Sequence, residues 1–367
     1  MKILIDARFT KTDHHDGISR YGASLIAATA KIADVSMLVS DVRQLALLPD
    51  VPYTLISSPL SPRELFVAGT INKLGADVVV CPMQTMGTWG RKYGLVLTLH
   101  DLIYYEHPTP PGFLPAPVRL LWRLYHKAYW PQRLLLNRAD TVATISRTTE
   151  ALMAKYRLTR RPVRIISNAP QPAQEPRSPE AGADQSLVYM GSFMPYKNVE
   201  TMVAGMAGLP GYTLHLLSRI TPQRRAELER LVPPNAHVVF HNGVTDEEYD
   251  TFLRSATALV SLSRAEGYGL PLVEAMALGT PVIASDIPIF REVGGDAALY
   301  VDPASPGQFA AAVTTLQDET RWQDLSRRSL ARAQEFSWDE SARQLVQVAH
   351  DVVLGRRKAT SRNGSPG

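Results

Sequence analysis

The chain has 367 residues, 45% hydrophobic and 20% charged, ordinary values for a globular protein long enough for two cores. A net charge of +4 suits anionic small ligands or a phospholipid surface, but it is too diffuse, and too free of zinc spacings, to indicate nucleic acid. One cysteine, Cys81, excludes an intramolecular disulfide; with no run of transmembrane length and no signal peptide, a reducing cytoplasm is the expected compartment.

Residues 2–8, KILIDAR, predict a buried strand, followed by a polar loop over 10–16 and a helix from Gly17 to about 31. This strand, loop and helix lacks the spaced glycines of a dinucleotide site, which disfavours a Rossmann dehydrogenase. His14 and His15 stand beside Asp13 and Asp16, but neighbours in sequence seldom converge on one ion, so a solvated loop is expected there. Strands at 35–40, 53–56, 77–81 and 95–99 are aliphatic and β-branched, as in a parallel sheet alternating with helices. His100 follows the last of them, at a strand end where α/β proteins place chemistry; a structural histidine is the alternative. After a proline-rich loop at 108–117, residues 118–138 predict one amphipathic helix, with Arg119, Arg123, Lys127, Arg133 and Arg138 among Trp122, Tyr125, Tyr129 and Trp130. Its expected arrangement is one face on the sheet and the arginines in water; contact with an anionic membrane is the alternative. Strands at 140–145 and 163–167, with Ser146 as a helix cap, complete a first domain over 1–167.

Residues 168–186 are rich in proline and small polar side chains and predict an exposed linker. The second domain, 187–335, opens with a strand and the loop Gly191-Ser-Phe-Met-Pro-Tyr-Lys-Asn before a helix from Val199. Lys197, at that loop–helix junction, is a point charge for phosphate or an inert surface lysine. Strands follow at 212–218 and 237–240, and Thr245 and Glu248 have capping-box spacing. Residues 256–262 predict a buried strand, Gly267 and Gly269 a tight loop, Pro271 a first helical turn, and Gly279 a helix stop. Glu266 and Glu274 flank that loop. Carboxylates accept from neighbouring hydroxyls, so the pair suits a polyol; a solvated acid and a helix-dipole partner are the plain reading. A short strand near 300 and helices at 306–317 and 321–335 precede a final helix at 336–354 and a tail, 355–367, expected to be disordered.

The stretch Glu266-Gly-Tyr-Gly-Leu-Pro-Leu-Val-Glu274, followed by Ala-x-Ala-x-Gly-Thr-Pro-Val-Ile-Ala, resembles the Glu-x7-Glu signature of glycosyltransferase family four. The resemblance implies a retaining enzyme with the GT-B fold: two Rossmann-like, doubly wound α/β domains facing across a cleft, the final helix crossing back to the first. It implies a nucleotide-sugar as substrate and no cofactor. Glu266 would hold the sugar's hydroxyls and Glu274 the ribose, with Gly267, Tyr268, Gly269 and Leu270 forming the donor loop. Lys197 and the helix N-terminus after Gly269 would meet the diphosphate, with the Gly17 amide approaching from across the cleft and Gly191 and Ser192 in the donor site. The backbone of Val244 would read the nucleobase, and His100 would contact the sugar near the reacting carbon. The family usually has arginine after the glycine of the Gly191 loop; Ser192 stands there, leaving Arg20, Arg219 or Arg264 to supply a second cation. The motifs look most like those of bacterial mannosyltransferases that use GDP-mannose, implying a glycan or lipid-linked acceptor; peripheral contact with the inner face of the plasma membrane is the alternative attached to the basic segment over 118–138. A UDP-sugar transferase and a catalytically silent glycan- or nucleotide-binding protein are the alternatives. The chain has no Asp-x-Asp pair, so no divalent metal is expected at the diphosphate.

Overall fold

The computed structural model describes residues 1–110, 115–171 and 175–363. Parts of the proline-rich loop (111–114), the linker (172–174) and the tail (364–367) lie outside the described residues. The chain divides into two compact units, Met1–Asn168 with Ser337–Gly367, and Ala169–Phe336.

The first unit carries strands β1 (Lys2–Asp6), β2 (Asp34–Val39), β3 (Tyr53–Leu55), β4 (Val78–Cys81), β5 (Gly94–Leu99), β6 (Thr141–Thr144) and β7 (Val163–Ile165). They form one parallel sheet in the order β3-β2-β1-β4-β5-β6-β7. Strands β4 and β5 are buried along their whole length, as in a parallel sheet covered by helices on both faces. One covering element is the final helix, Trp338–Asn363. Ser341 Oγ donates to the Ser167 carbonyl at 2.8 Å, and Val352 packs so closely on Gly94 that a Cβ there would lie 2.5 Å from it.

The second unit holds β8 (Asp184–Tyr189), β9 (Thr213–Leu216), β10 (His237–Phe240), β11 (Ala256–Ser261), β12 (Val282–Ser285) and β13 (Ala298–Val301). These too are all parallel, in the order β10-β9-β8-β11-β12-β13. Each sheet is doubly wound: its order reverses at one point, between β1 and β4 in the first and between β8 and β11 in the second. Beside such a switch the connections leave to opposite faces, and the loops after the two strands part to make a crevice.

Three expectations are corrected. Residues 118–138 are two helices, Ala116–Tyr125 and Trp130–Leu136, because Pro131 lacks the N–H and forces a new first turn. The linker is not an exposed connection throughout. Arg177 is buried; its guanidinium donates to the carbonyls of Ala256 (2.9 Å) and Gly182 (2.8 Å) and stacks on Trp322 at 4.5 Å, strapping the segment to the second unit. The tail from Gly355 continues the final helix to Asn363, where Arg356 reaches Asp140 at 3.3 Å and the Lys92 carbonyl at 3.0 Å.

Candidate functional site

The switch point of the second sheet brings the two most telling residues together. Lys197 lies in the loop after β8 and Glu266 in the loop after β11, 69 residues apart in sequence yet joined by an ion pair. β8 and β11 are hydrogen-bonded neighbours, with Leu187 opposite Ala258 and Val188 opposite Leu259. The lysine and glutamate side chains are 14% and 13% exposed. At that burial the pair is screened far less than a surface salt bridge. Ser263 Oγ donates to the same carboxylate oxygen at 3.0 Å, fixing its position.

Asn198 holds the lysine loop in place. It sits in the left-handed region at φ 54°, and its buried amide donates to the carbonyls of Leu262 (2.9 Å) and Pro303 (2.7 Å). One staple therefore ties the β8 loop to the β11 loop. The Arg264 N–H, donating to the Tyr196 carbonyl at 2.7 Å, adds a second. Ser263 and Asn198 escaped the sequence reading, although an asparagine just before a helix is a known left-handed signal.

Gly269 ends the β11 loop at φ +96°, and a Cβ there would come within 2.8 Å of the buried Phe290 ring, so only glycine fits. The helix Leu270–Ala277 starts beside it with Pro271 in its first turn. No side chain caps that N-terminus, although Pro271 has no N–H and the Leu272 N–H already donates to the Gly269 carbonyl at 2.9 Å, so the Leu270 amide is the first that an anion could meet. Glu274 is half-buried on this helix, Gly267 and Leu270 are half-buried at its approach, and Tyr268 is buried with its ring edge on Phe336. Burial pushes the Tyr268 phenol well above its ordinary range, so it stays neutral.

Gly191 has a structural explanation. A Cβ on it would lie 2.8 Å from the Tyr189 hydroxyl, and its N–H is used by Ser218 Oγ at 3.0 Å. Its amide is therefore not free for a phosphate. Ser192 is exposed, with its carbonyl accepting from Tyr189 at 2.6 Å, so its side chain adds no charge and leaves room for a longer one. Val244 precedes the Thr245 cap, whose capping box with Glu248 is formed. The backbone before it is unusual: Asn242 and Gly243 both have positive φ, and Arg219 lies against Gly243. Arg219 thus shares the second unit with Lys197, as does the exposed Arg264, whereas Arg20 belongs to the first.

Gly17 and His100 are in the first unit. Gly17 opens the helix Gly17–Ala30, capped by Asp16, and a Cβ there would meet nothing within 4 Å. The unit's own packing places no demand for glycine at this position. His100 follows β5, with Nε2 at 2.7 Å from the Pro82 carbonyl and its ring edge-on to Tyr21. A carbonyl only accepts, so Nε2 carries the proton and the neutral ring offers Nδ1 as an acceptor. Burial holds this imidazole below its ordinary pKa, against the raising effects of the Pro82 carbonyl and Asp16. His14 bonds Asp13 and His15 bonds Ser19, so the two histidines do not converge. Among the described residues no group of three or more His, Cys, Asp or Glu could hold a metal ion, and no helix is long and apolar enough to cross a membrane.

Two family models cover most of the chain: Glycosyltransferase Family 4 matches residues 28–172 and Glycosyl transferases group 1 matches 171–334. The chain is 28% identical over 275 residues to O-antigen chain mannosyltransferase B of Escherichia coli, covering 69% of each protein. It is 24% identical to O-antigen chain mannosyltransferase RfbU of Salmonella typhimurium, covering 82% of this chain and 87% of the relative. Among solved structures, Anabaena HepE in complex with UDP-glucose superposes with a TM-score of 0.72 at 16% identity, over 96% of this chain and all of HepE. With two doubly wound parallel sheets and both family models matched in order, the chain belongs to glycosyltransferase family four and has the GT-B fold.

Proposed function

We propose that the chain transfers a hexose, mannose from GDP-mannose, to a glycan or lipid-linked acceptor. The observation that carries this reading is the Lys197–Glu266 pair at the switch point, beside an uncapped helix N-terminus. An ammonium has three donors, and Glu266 occupies one, leaving others for a diphosphate. The remaining lone pairs of Glu266 can accept from sugar hydroxyls, and Glu274, further along the helix, from a ribose. Lys197 and the helix amides would then stabilise charge that grows on the diphosphate as its bond to the anomeric carbon breaks. In the retaining course the acceptor oxygen bonds to that carbon on the same face, and its proton passes to the departing phosphate. His100 would accept from a sugar hydroxyl at Nδ1, and the Gly17 amide would serve the diphosphate.

Mannose is favoured by the names of the two O-antigen relatives, a UDP-sugar by the ligand in HepE. Release of nucleotide diphosphate from a panel of GDP- and UDP-sugars, without acceptor, separates the readings. GDP from GDP-mannose is the expected product; preferential UDP release favours the second, and no release from any donor favours a silent binding protein. We also propose that no divalent metal takes part. Activity should survive EDTA, and loss that magnesium or manganese reverses would refute this.

A further inference from the structure

The two sheets end in four edge strands: β3 and β7 in the first unit, β10 and β13 in the second. An edge strand offers unpaired N–H and C=O groups to any extended chain, and proteins commonly guard it with charge. Three of these edges carry an arginine. In β7, Arg164 turns back and donates to the Val163 carbonyl at 3.1 Å. The Arg225 guanidinium lies over the Phe240 ring of β10 at 5.4 Å, and that of Arg291 over the Tyr300 ring of β13 at 4.0 Å. β3 differs: residues 51–62, VPYTLISSPLSP, carry no charge.

The hydrogen bonds to β2 identify the open groups of β3. The Pro52 carbonyl accepts from the Met37 N–H at 2.7 Å, and the Ile56 N–H donates to the Val39 carbonyl at 2.9 Å. Residues 52, 54 and 56 therefore face β2, and Tyr53 and Leu55 turn their N–H and C=O groups outward. Pro52 does not blunt this edge, because its missing N–H lies on the inner side. The side chains of Tyr53 and Leu55 share one face of the strand and are 49% and 56% exposed. Apolar exposure continues along the chain at Leu60 (92%), Leu65 (66%) and Phe66 (59%), and the exposed Trp89 ring meets Phe66 at 5.3 Å. Fully covered, these side chains would give up about the 800 Å² that each partner of a standard interface buries.

We propose that β3 is the seam of a homodimer, two copies of the strand running antiparallel about a two-fold axis at Thr54. In that register Tyr53 of each copy lies opposite Leu55 of the other, and the two residues exchange both backbone hydrogen bonds. The tyrosine ring then packs beside the leucine on the same face, a favourable cross-strand pair. A second copy is the occupant the edge fits, since it brings the same open pair in matching register. Neither strand brings a charge to the axis, so nothing there repels. The inference does not depend on the donor or on the transfer reaction.

The test is sedimentation velocity of the full chain across the micromolar range. A concentration-dependent species of twice 40.5 kDa is expected. Leu55→Pro removes one outward N–H per copy and leaves the bonds to β2 intact; Tyr53→Lys with Leu55→Lys gathers ammonium groups at the axis. Each should raise the dimer dissociation constant at least tenfold, with circular dichroism and donor hydrolysis unchanged. Thr54→Cys reads the register directly. Its two sulfurs would meet across the axis, at a pair spacing a disulfide can span, so mild oxidation should yield a covalent dimer that the added lysines prevent. A chain that stays monomeric throughout would overturn the proposal, as would a dimer that survives the lysine variant. A folded Leu55→Pro variant that dimerises like wild type, or a Thr54→Cys dimer that does not cross-link, would do the same.

Discussion

Replacing Lys197 by methionine keeps the length of the side chain and removes its charge. The structure predicts two separable losses. Glu266 would keep only the Ser263 hydroxyl, at 3.0 Å, in a pocket where its side chain is 13% exposed. Leaving a mostly buried carboxylate without its cation costs about 1–3 kcal/mol, seen as a lower melting temperature. Glu266→Gln in the same chain should restore part of that stability, because a neutral amide needs no counter-charge. The catalytic loss is distinct. No arginine follows Gly191, and Ser192 is exposed and uncharged, so in the proposed reading Lys197 would carry the main counter-charge to the leaving diphosphate. Removing one preorganised charge stabiliser costs about 2–4 kcal/mol in the transition state, roughly 30- to 1000-fold in kcat/KM. Ser192→Arg should recover part of this rate in the Lys197→Met background, since nothing buries position 192. The assay is nucleotide diphosphate release and transfer to acceptor across the four combinations of these two substitutions, with diphosphate affinity measured in parallel. A folded Lys197→Met variant whose kcat/KM stays within about threefold of wild type would refute the assignment.

Glu274→Ala should weaken nucleotide diphosphate binding by about 1–3 kcal/mol, the loss of a charged acceptor in a half-buried site; an unchanged dissociation constant in titration calorimetry would contradict its role at the ribose. His100→Ala should lower kcat more than it changes nucleotide diphosphate affinity, and unaltered transfer kinetics would leave it a structural histidine bonded to Pro82. Acid should destabilise the fold early. Burial holds His100, His126, His215 and His241 below the ordinary imidazole value, so the unfolded chain binds the extra protons. Their contribution is complete above about pH 6.5 and is lost as pH falls from there toward the folded-state values. A melting temperature flat between pH 7.5 and 5 would contradict this.

The local pattern of the chain announced most strands, the glycine loop and the capping box at Thr245, because each is written in adjacent residues. What it could not announce was strand order. Lys197 and Glu266 are plausible separately, but only the pairing of β8 with β11 makes them partners. Gly191 reads as a donor-site glycine, and only the structure adds that the hydroxyl of Tyr189, two residues earlier, crowds the place of a Cβ there. Pro131 was a legible break that the amphipathic pattern over 118–138 obscured. Which side of that segment packs inward was not legible. Periodicity separates two faces, but the aromatic anchors Tyr104 and Tyr105 decide which one docks. The strap of Arg177 was hidden likewise, since a lone arginine among prolines carries no sign of the Trp322 ring it stacks on.

The first unit is assembled from two separate stretches of chain, with the second unit inserted between them. On the ribosome, β1 to β7 emerge long before the helix Trp338–Asn363 that covers Gly94 and ties down Ser167. The second unit, one uninterrupted stretch, can fold as it emerges. The first must wait with part of its sheet uncovered. Nascent chains should therefore recruit chaperones to the first unit, and protease pulses during synthesis should cut it well after Ala169–Phe336 has become resistant.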